Sequence, residues 1–118
     1  MAEAREAFNG TYGSVEFAFL DTGNLEVTII GPHIRIRIRE SFDPRSWITA
    51  FNLLNGHGFE FMDEGAVRVE TVRLDEFVLL EAQSSPRTKP GCPLKVVLTI
   101  GTAKRIIRWL EDNAFQQV

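Results

Sequence analysis

Apolar residues recur at every second position in three successive segments of the first half of the chain. In the first of them, Val15, Phe17 and Phe19 fall on one face of an extended strand and Glu16 falls on the other. A period of two residues is typical of a β-strand with one buried face. The period resumes after the turn-forming residues 21–24 and again after Gly31-Pro32, which predicts an antiparallel meander. Its three strands comprise residues 15–20, 25–30 and 34–39.

The turns between these strands predict how the strands pair. A two-residue turn at positions 31–32 places Ile29 opposite Ile34, and a three-residue loop in the first hairpin places Phe19 opposite Val27. Both registers put the aliphatic and aromatic side chains on the same face. The sheet is therefore predicted to have one apolar face and one polar face.

The period changes to that of a helix after the third strand. Asp43 is suited to cap a helix, and Pro44 is suited to its first position, where no backbone N–H is needed. Gly56 predicts the end of this helix. The apolar stripe along it comprises Trp47, Ile48, Phe51 and Leu54.

The second half of the chain has the same order of segments. Residues 59–62 predict a short strand, and residues 66–73 and 77–82 predict a hairpin. An apolar strand over residues 94–100 leads to a helix opened by Gly101-Thr102. The apolar stripe of this helix comprises Ala103, Ile106, Ile107, Leu110 and Ala114.

Together these segments predict an α+β fold. We expect one mainly antiparallel, curved sheet of six or seven strands with two helices, in the order β-β-β-α-(β)-β-β-β-α, and residues 1–10 as a frayed start. The 118 residues fit a single domain, residues 1–118. Two explanations fit the halves 11–56 and 57–118: a structural repeat with pseudo-twofold packing, or the recurrence of an economical meander-plus-helix unit. The predicted core comprises Phe17, Ile36, Ile38, Trp47, Phe51, Ile107 and Leu110.

Composition narrows the class of protein. Hydrophobic residues are 44% and charged residues 25% of the chain, as in ordinary globular domains. The single cysteine, Cys92, excludes a disulfide within the chain and a cysteine-based zinc site, and it favours a reducing compartment. No segment has the pattern of a signal peptide, and no apolar run approaches 18 residues. We therefore expect a soluble cytoplasmic protein with no membrane partner.

Charge is unevenly distributed along the sequence. The net charge of −3 disfavours a strongly basic nucleic-acid binder. Residues 60–81 nevertheless contain seven acidic and two basic residues, whereas residues 82–110 contain six basic residues and no acid. Arginine, which favours bidentate pairing at interfaces, accounts for most of the basic residues.

Recognisable catalytic motifs are absent from the sequence. It contains no phosphate-binding glycine loop, nucleophile elbow, H-E-x-x-H or C-x-x-C motif. Its two histidines, His33 and His57, fall in predicted loops with no acid or nucleophile at a recognisable spacing. The sequence predicts a non-catalytic protein without a metal site or cofactor.

Three groups of residues are candidates for binding. Arg35, Arg37 and Arg39 lie on one face of a predicted strand, about 6.6 Å apart. They form either a ladder for phosphates or carboxylates, or a solvent face neutralised by Glu26 and Glu16. The second group, Arg87 and Lys89, lies in a proline-rich loop over residues 83–93 that is too polar to pack a core.

The third group lies on the second helix. Trp109 falls well off the apolar stripe, beside Arg105 and Arg108. A tryptophan among arginines is the composition of a protein interface hot spot, and it is also suited to stack a base. The alternative is that Trp109 covers the rim of its own core.

Two family resemblances follow from the pattern of residues and segments. The phrase at residues 39–47, Arg-Glu-Ser-Phe-Asp-Pro-Arg-Ser-Trp, resembles the strand-to-helix junction of Whirly-like single-stranded DNA binders, which are built of repeated sheet-plus-helix units. The chain lacks the lysine-rich strand that this resemblance implies. The order of strands and helices also resembles that of small bacterial immunity proteins, which plug a partner toxin. Neither resemblance assigns the chain to a family.

These observations predict a binding protein whose partner is a macromolecule. A protein partner or a second copy of the chain is the first expectation, with residues 60–81 of that copy supplying acids to Arg105 and Arg108. A single-stranded nucleic-acid binder that uses the arginine strand is the second. A small-molecule carrier or enzyme with a cavity between sheet and helices is the third.

Overall fold

Eight strands and two helices make up the described part of the chain. The computed structural model describes residues 4–20, 25–39, 44–63, 67–84 and 94–114. The elements run in the order β1 (Ala4–Gly10), β2 (Gly13–Phe19), β3 (Leu25–Ile30), β4 (Arg35–Arg39), α1 (Pro44–Phe51), β5 (Gly58–Asp63), β6 (Val67–Leu74), β7 (Phe77–Ser84), β8 (Leu94–Thr99) and α2 (Ile100–Ala114).

The strands form two antiparallel sheets. The first sheet has the order β1-β2-β3-β4 and the second has the order β5-β6-β7-β8. The predicted α+β class is confirmed, whereas the prediction of one curved sheet of six or seven strands is wrong. The described residues of the two sheets share one isolated bridge, in which the backbones of Thr11 and Val97 exchange hydrogen bonds of 2.8 and 3.0 Å. We call this bridge the junction of the sheets. Among the described residues, backbone pairing between the two sheets is limited to it, and side-chain packing in the core supplies the other contacts.

The predicted order of elements lacks β1. This strand pairs with β2 along its whole length, with Phe8 opposite Val15. Phe8 is its only buried residue, so the segment has no apolar alternation to predict a strand. Tyr12, at a φ of 70°, forms the tight turn that returns the chain into β2.

The two predicted registers in the first sheet are each wrong by two residues. Ile29 pairs with Ile36 rather than Ile34, and Phe19 pairs with Leu25 rather than Val27. A shift of two residues leaves every side chain on its original face, so the predicted apolar face remains correct. The second turn is longer than predicted because the N–H of Gly31 donates to the carbonyl of Ile34, at 2.8 Å.

Helix α1 ends at Phe51, five residues before the predicted end at Gly56. Hydrogen bonds to β6 hold the next residues in an irregular path. The Arg73 guanidinium donates to the Leu53 carbonyl at 3.0 Å, and the N–H of Gly56 donates to the Arg73 carbonyl at 2.8 Å. Leu54, predicted to lie on the helical stripe, is instead 73% exposed.

The second half agrees better with the sequence prediction. β6 and β7 form the predicted hairpin around a tight turn, with Leu74 opposite Phe77 and Asp75 at a φ of 49°. Helix α2 buries Ala103, Ile106 and Leu110 along the predicted stripe. No helix among the described residues is long and apolar enough to cross a membrane.

A single hydrophobic cluster joins both sheets and both helices. At its centre, the ring of Phe17 meets that of Trp47 edge to face, with 5.6 Å between the ring centres. Thr71 is a fully buried polar residue, and its hydroxyl donates to the Ala50 carbonyl near the end of α1, at 2.7 Å. Of the predicted core, Ile107 is half-buried against the cluster. The other six predicted residues are buried: Phe17, Ile36, Ile38, Trp47, Phe51 and Leu110.

Candidate functional site

Trp109 lies on the flank of α2 and is half-buried. Its ring stacks on Phe19 with 5.5 Å between the ring centres and an angle of 24°, and it lies 6.1 Å from the ring of Phe17. One part of the indole therefore covers the rim of the core. The remaining part faces a surface cleft.

This cleft, which we name the α2 cleft, opens between α2 and the edge strand β1. Its apolar floor is aromatic, because Phe8 of β1 and Trp109 both line it. The guanidinium carbon of Arg105 lies 5.6 Å from the centre of the Phe8 ring, within the range of a cation–π contact. The residues lining the cleft are Glu6, Phe8, Arg105, Arg108, Trp109 and Asp112.

Charges of both signs surround the aromatic floor of the α2 cleft. Arg105, Arg108 and Asp112 are exposed on α2, and Glu6 is exposed on β1. A phosphate chain would be attracted by the two arginines and repelled by the two acids. A protein surface with charges of both signs matches this arrangement better.

Sequence reasoning identified the helix side of the α2 cleft and missed its strand side. Glu6 and Phe8 belong to β1, in the segment predicted to be frayed. The available signal was their separation of two residues, which places both side chains on one face of a strand. The signal for Asp112 was its spacing, because a residue four positions after Arg108 lies next to it on the surface of α2.

The arginine strand β4 lies at an edge of the first sheet, and its outward face is polar. Arg35 and Arg37 are exposed, and the Nε of Arg37 lies 3.9 Å from the Glu26 carboxylate. On the same face, Arg5 donates to Glu16 at 2.6 Å. Carboxylates thus accompany the arginines on this face. Arg39 belongs to β4, and its side chain lies outside the described residues.

The predicted loop site also lies outside the described residues. This applies to both of its candidate residues, Arg87 and Lys89, and to Cys92. His33 and His57 lie exposed in loops, as their sequence context predicts. The described residues contain no group of three or more His, Cys, Asp or Glu side chains that could hold a metal ion.

The acidic segment contributes a row of carboxylates to the outer face of the second sheet. Glu60, Glu70 and Glu81 occupy paired positions on β5, β6 and β7. Arg68 bonds to Glu60 and lies 3.7 Å from Glu70, while Lys95 lies 3.3 Å from Glu81. The hydrogen bond to Glu60, together with the charge of that residue, raises the pKa of Arg68.

Comparisons with known proteins give this chain no relatives: no family model, curated protein or solved structure matches it. The two resemblances described above therefore remain similarities of pattern.

Proposed function

We propose that the chain is a non-catalytic interaction protein that binds a partner protein through the α2 cleft. The observation that carries this proposal is the half-buried indole of Trp109, which lines the α2 cleft beside Phe8, two arginines and two carboxylates. Tryptophan and arginine dominate the binding energy of many protein interfaces, particularly where they border an apolar centre.

A partner with a different sequence fits the α2 cleft better than a second copy. The acids expected to pair with Arg105 and Arg108 in a homodimer include Glu60, Glu70 and Glu81. These three lie on the outer face of the second sheet, whereas α2 packs against its inner face. Contacts between two such different surfaces are head to tail, and repeated head-to-tail contacts produce rings or open chains. A partner carrying its own acidic and apolar groups avoids this constraint.

The test reverses the charge of the two arginines of the cleft and leaves the packed indole of Trp109 in place. We would immobilise the full chain and expose it to nuclease-treated lysate of cells that express it. Proteins retained by the native chain should be lost with the double variant Arg105→Glu, Arg108→Glu. The matched control is Lys104→Glu, an exposed position on α2 that does not line the cleft. Retention unchanged by the double variant would contradict the proposal.

Single-stranded nucleic acid is the alternative partner, and the exposure of Arg35 and Arg37 favours it. If β4 contacts phosphates, affinity for a fluorescent single-stranded DNA should fall with salt, with a log–log slope of roughly −0.7 per phosphate contacted. Replacing Arg35, Arg37 and Arg39 with alanine should then flatten that slope by about two units. Absence of binding at low salt would eliminate this alternative.

A further inference from the structure

In the described part of the chain, no segment pairs with the outer edge of β4. The first sheet ends with β4, which pairs with β3. β7 of the second sheet comes near β4, but it pairs with β6 and β8 on its own two edges. The opposite end of the first sheet differs, because β1 packs beside α2 and Thr11 bridges Val97. β4 is therefore the edge of this sheet that is suited to accept a further strand.

The backbone groups that face this outer edge belong to the arginines of β4. The N–H of Gly31 donates to the carbonyl of Ile34, so these two residues form a hydrogen-bonded pair of the hairpin. Hydrogen-bonded and non-hydrogen-bonded pairs alternate in an antiparallel ladder, and the pairs that Arg35 and Arg37 form with β3 are therefore of the second kind. Their N–H and C=O groups point away from β3. Within the described residues, these groups have no hydrogen-bond partner.

The side chains of the same two arginines give this edge a positive charge. Arg35 is exposed and forms no ion pair with a described residue. The other residues of its row across the sheet are uncharged: Ile30, Ser14 and Asn9. Arg37 is exposed too, and its Nε lies 3.9 Å from the Glu26 carboxylate, which is beyond hydrogen-bonding distance. Both guanidinium groups are therefore accessible to an acidic group from outside the chain.

We propose that β4 binds an extended segment of a partner protein as an additional antiparallel strand, with acidic side chains at every second position. Such a strand exchanges hydrogen bonds with the backbones of Arg35 and Arg37, so two of its residues lie directly opposite them. Directly opposite residues share a face, and acids at these positions therefore meet the guanidinium groups. The intervening residue lies opposite Ile36, which is buried on the inner face, so an apolar side chain suits it. This edge and β1, which lines the α2 cleft, are at opposite ends of the sheet, so the proposal is independent of that cleft.

The same geometry disfavours β4 of a second copy as the added strand. Across a new antiparallel edge, residues whose backbone groups point outward lie opposite each other. On β4 these residues are at positions 35, 37 and 39, and all three are arginine. Two β4 strands would therefore place arginine opposite arginine in every antiparallel register, which is unfavourable. Charge of one sign on an exposed edge prevents self-pairing in this way, and it favours a strand of opposite charge.

Amide hydrogen exchange of the full chain, measured by NMR, tests whether this edge is free. We expect the amides of Arg35 and Arg37 to exchange rapidly and the amide of Ile36, which points towards β3, to be protected. The probe is a synthetic peptide of the length of β4 in which glutamate and valine alternate. Adding it should slow exchange at both arginines. Protection of both arginine amides in the chain alone would overturn the proposal, because the edge would already be occupied.

Fluorescence anisotropy with the same peptide, labelled and at low salt, tests the role of charge. Arg35→Glu should raise the dissociation constant at least tenfold. Arg5→Glu is the matched control, since it changes the net charge equally on the opposite edge strand, and it should have little effect. If circular dichroism shows that Arg35→Glu is unfolded, Arg35→Gln provides the same test without reversing the charge. Equal effects at the two positions would contradict the proposal.

Methylation of backbone nitrogens in the peptide tests the strand geometry. In the proposed register, the N–H groups of the glutamates point towards β4 and those of the valines point away from it. Methylation of the glutamate nitrogens should therefore abolish binding, whereas methylation of the valine nitrogens should preserve it. Equal effects of the two modifications, equally tight binding of a scrambled peptide of the same composition, or tighter binding of single-stranded DNA than of the alternating peptide would each overturn the proposal.

Discussion

The two sheets have the same strand order and unlike outer faces. On the first sheet, the outward rows are polar, and Arg5 pairs with Glu16. On the second sheet, Val72, Leu79 and Val97 face outward in one row. The inner faces of both sheets contribute to one shared core, so the fold constrains them alike. The outer faces are free of that constraint, so their side chains can differ without disturbing the core.

The two halves also fill the core with different side chains. The first half supplies an aromatic cluster in which Phe17 contacts Phe8, Trp47 and Phe51. The strands of the second half supply aliphatic residues such as Val69, Leu80 and Val96. Because these groups belong to one cluster, we expect the two halves to depend on each other for stability.

The largest expected effect comes from truncating this shared core. Phe17→Ala should lower the free energy of unfolding by about 3–5 kcal/mol, and Leu80→Ala by about 2–5 kcal/mol, because each leaves a cavity among fully buried side chains. Urea unfolding should show one transition in both variants, with tryptophan fluorescence and far-UV circular dichroism coinciding. Two separate transitions would show that the halves unfold independently.

A smaller effect is expected at the junction of the sheets. A Cβ at Gly10 would lie 2.6 Å from the backbone oxygen of Val97, closer than packing allows. Gly10→Ala should therefore cost about 1–3 kcal/mol, as overpacking does in cores. Gly101 is the matched control, since the nearest atom to its Cβ position is 3.9 Å away and it lies in α2. Gly101→Ala should stabilise the protein by roughly 0.5–1 kcal/mol. Equal effects of the two substitutions in thermal unfolding would contradict this account of the junction.

The smallest effects are expected from the charges of the two outer faces. Arg68→Ala removes the cation shared by Glu60 and Glu70, so it should lower the Tm at low salt. Arg37→Ala should lower the Tm less, because its carboxylate partner Glu26 lies 3.9 Å away. Arg37 and Arg68 are both exposed, so added salt should reduce both effects. A larger loss of Tm for Arg37→Ala would reverse this ranking of the two faces.

Periodicity along the chain predicts which face of the sheet a residue occupies more reliably than which residue it pairs with on the neighbouring strand. The alternation of Val27 and Ile29 correctly assigns them to the buried face, while the residues opposite them differ from the prediction by two positions. A displacement of two residues changes no face, so hydrophobic alternation cannot detect it. The turn decides the register, and the hydrogen bond from Gly31 to Ile34 is a property of the folded loop.

The α2 cleft likewise combines residues that the sequence identifies with residues that only the fold brings beside them. Helical phase alone places Trp109, Arg105 and Arg108 on one flank of α2. Their neighbours Glu6 and Phe8 come from β1, in which Phe8 is the one large apolar residue, and β1 pairs with β2 and lines the α2 cleft. The stacking of Trp109 on Phe19 likewise joins residues ninety positions apart in sequence.

By itself, the sequence determined the α+β class, the inward faces of strands and helices, and the buried positions of Trp47, Phe51 and Leu110. These follow from local periodicity, because a strand or helix must turn its apolar side chains away from water. Only the tertiary structure decided the division into two sheets, the early end of α1 and the partners of Trp109. These depend on contacts between distant segments, such as Arg73 with Leu53 and Thr11 with Val97, and residue types along the chain do not specify which distant groups will meet.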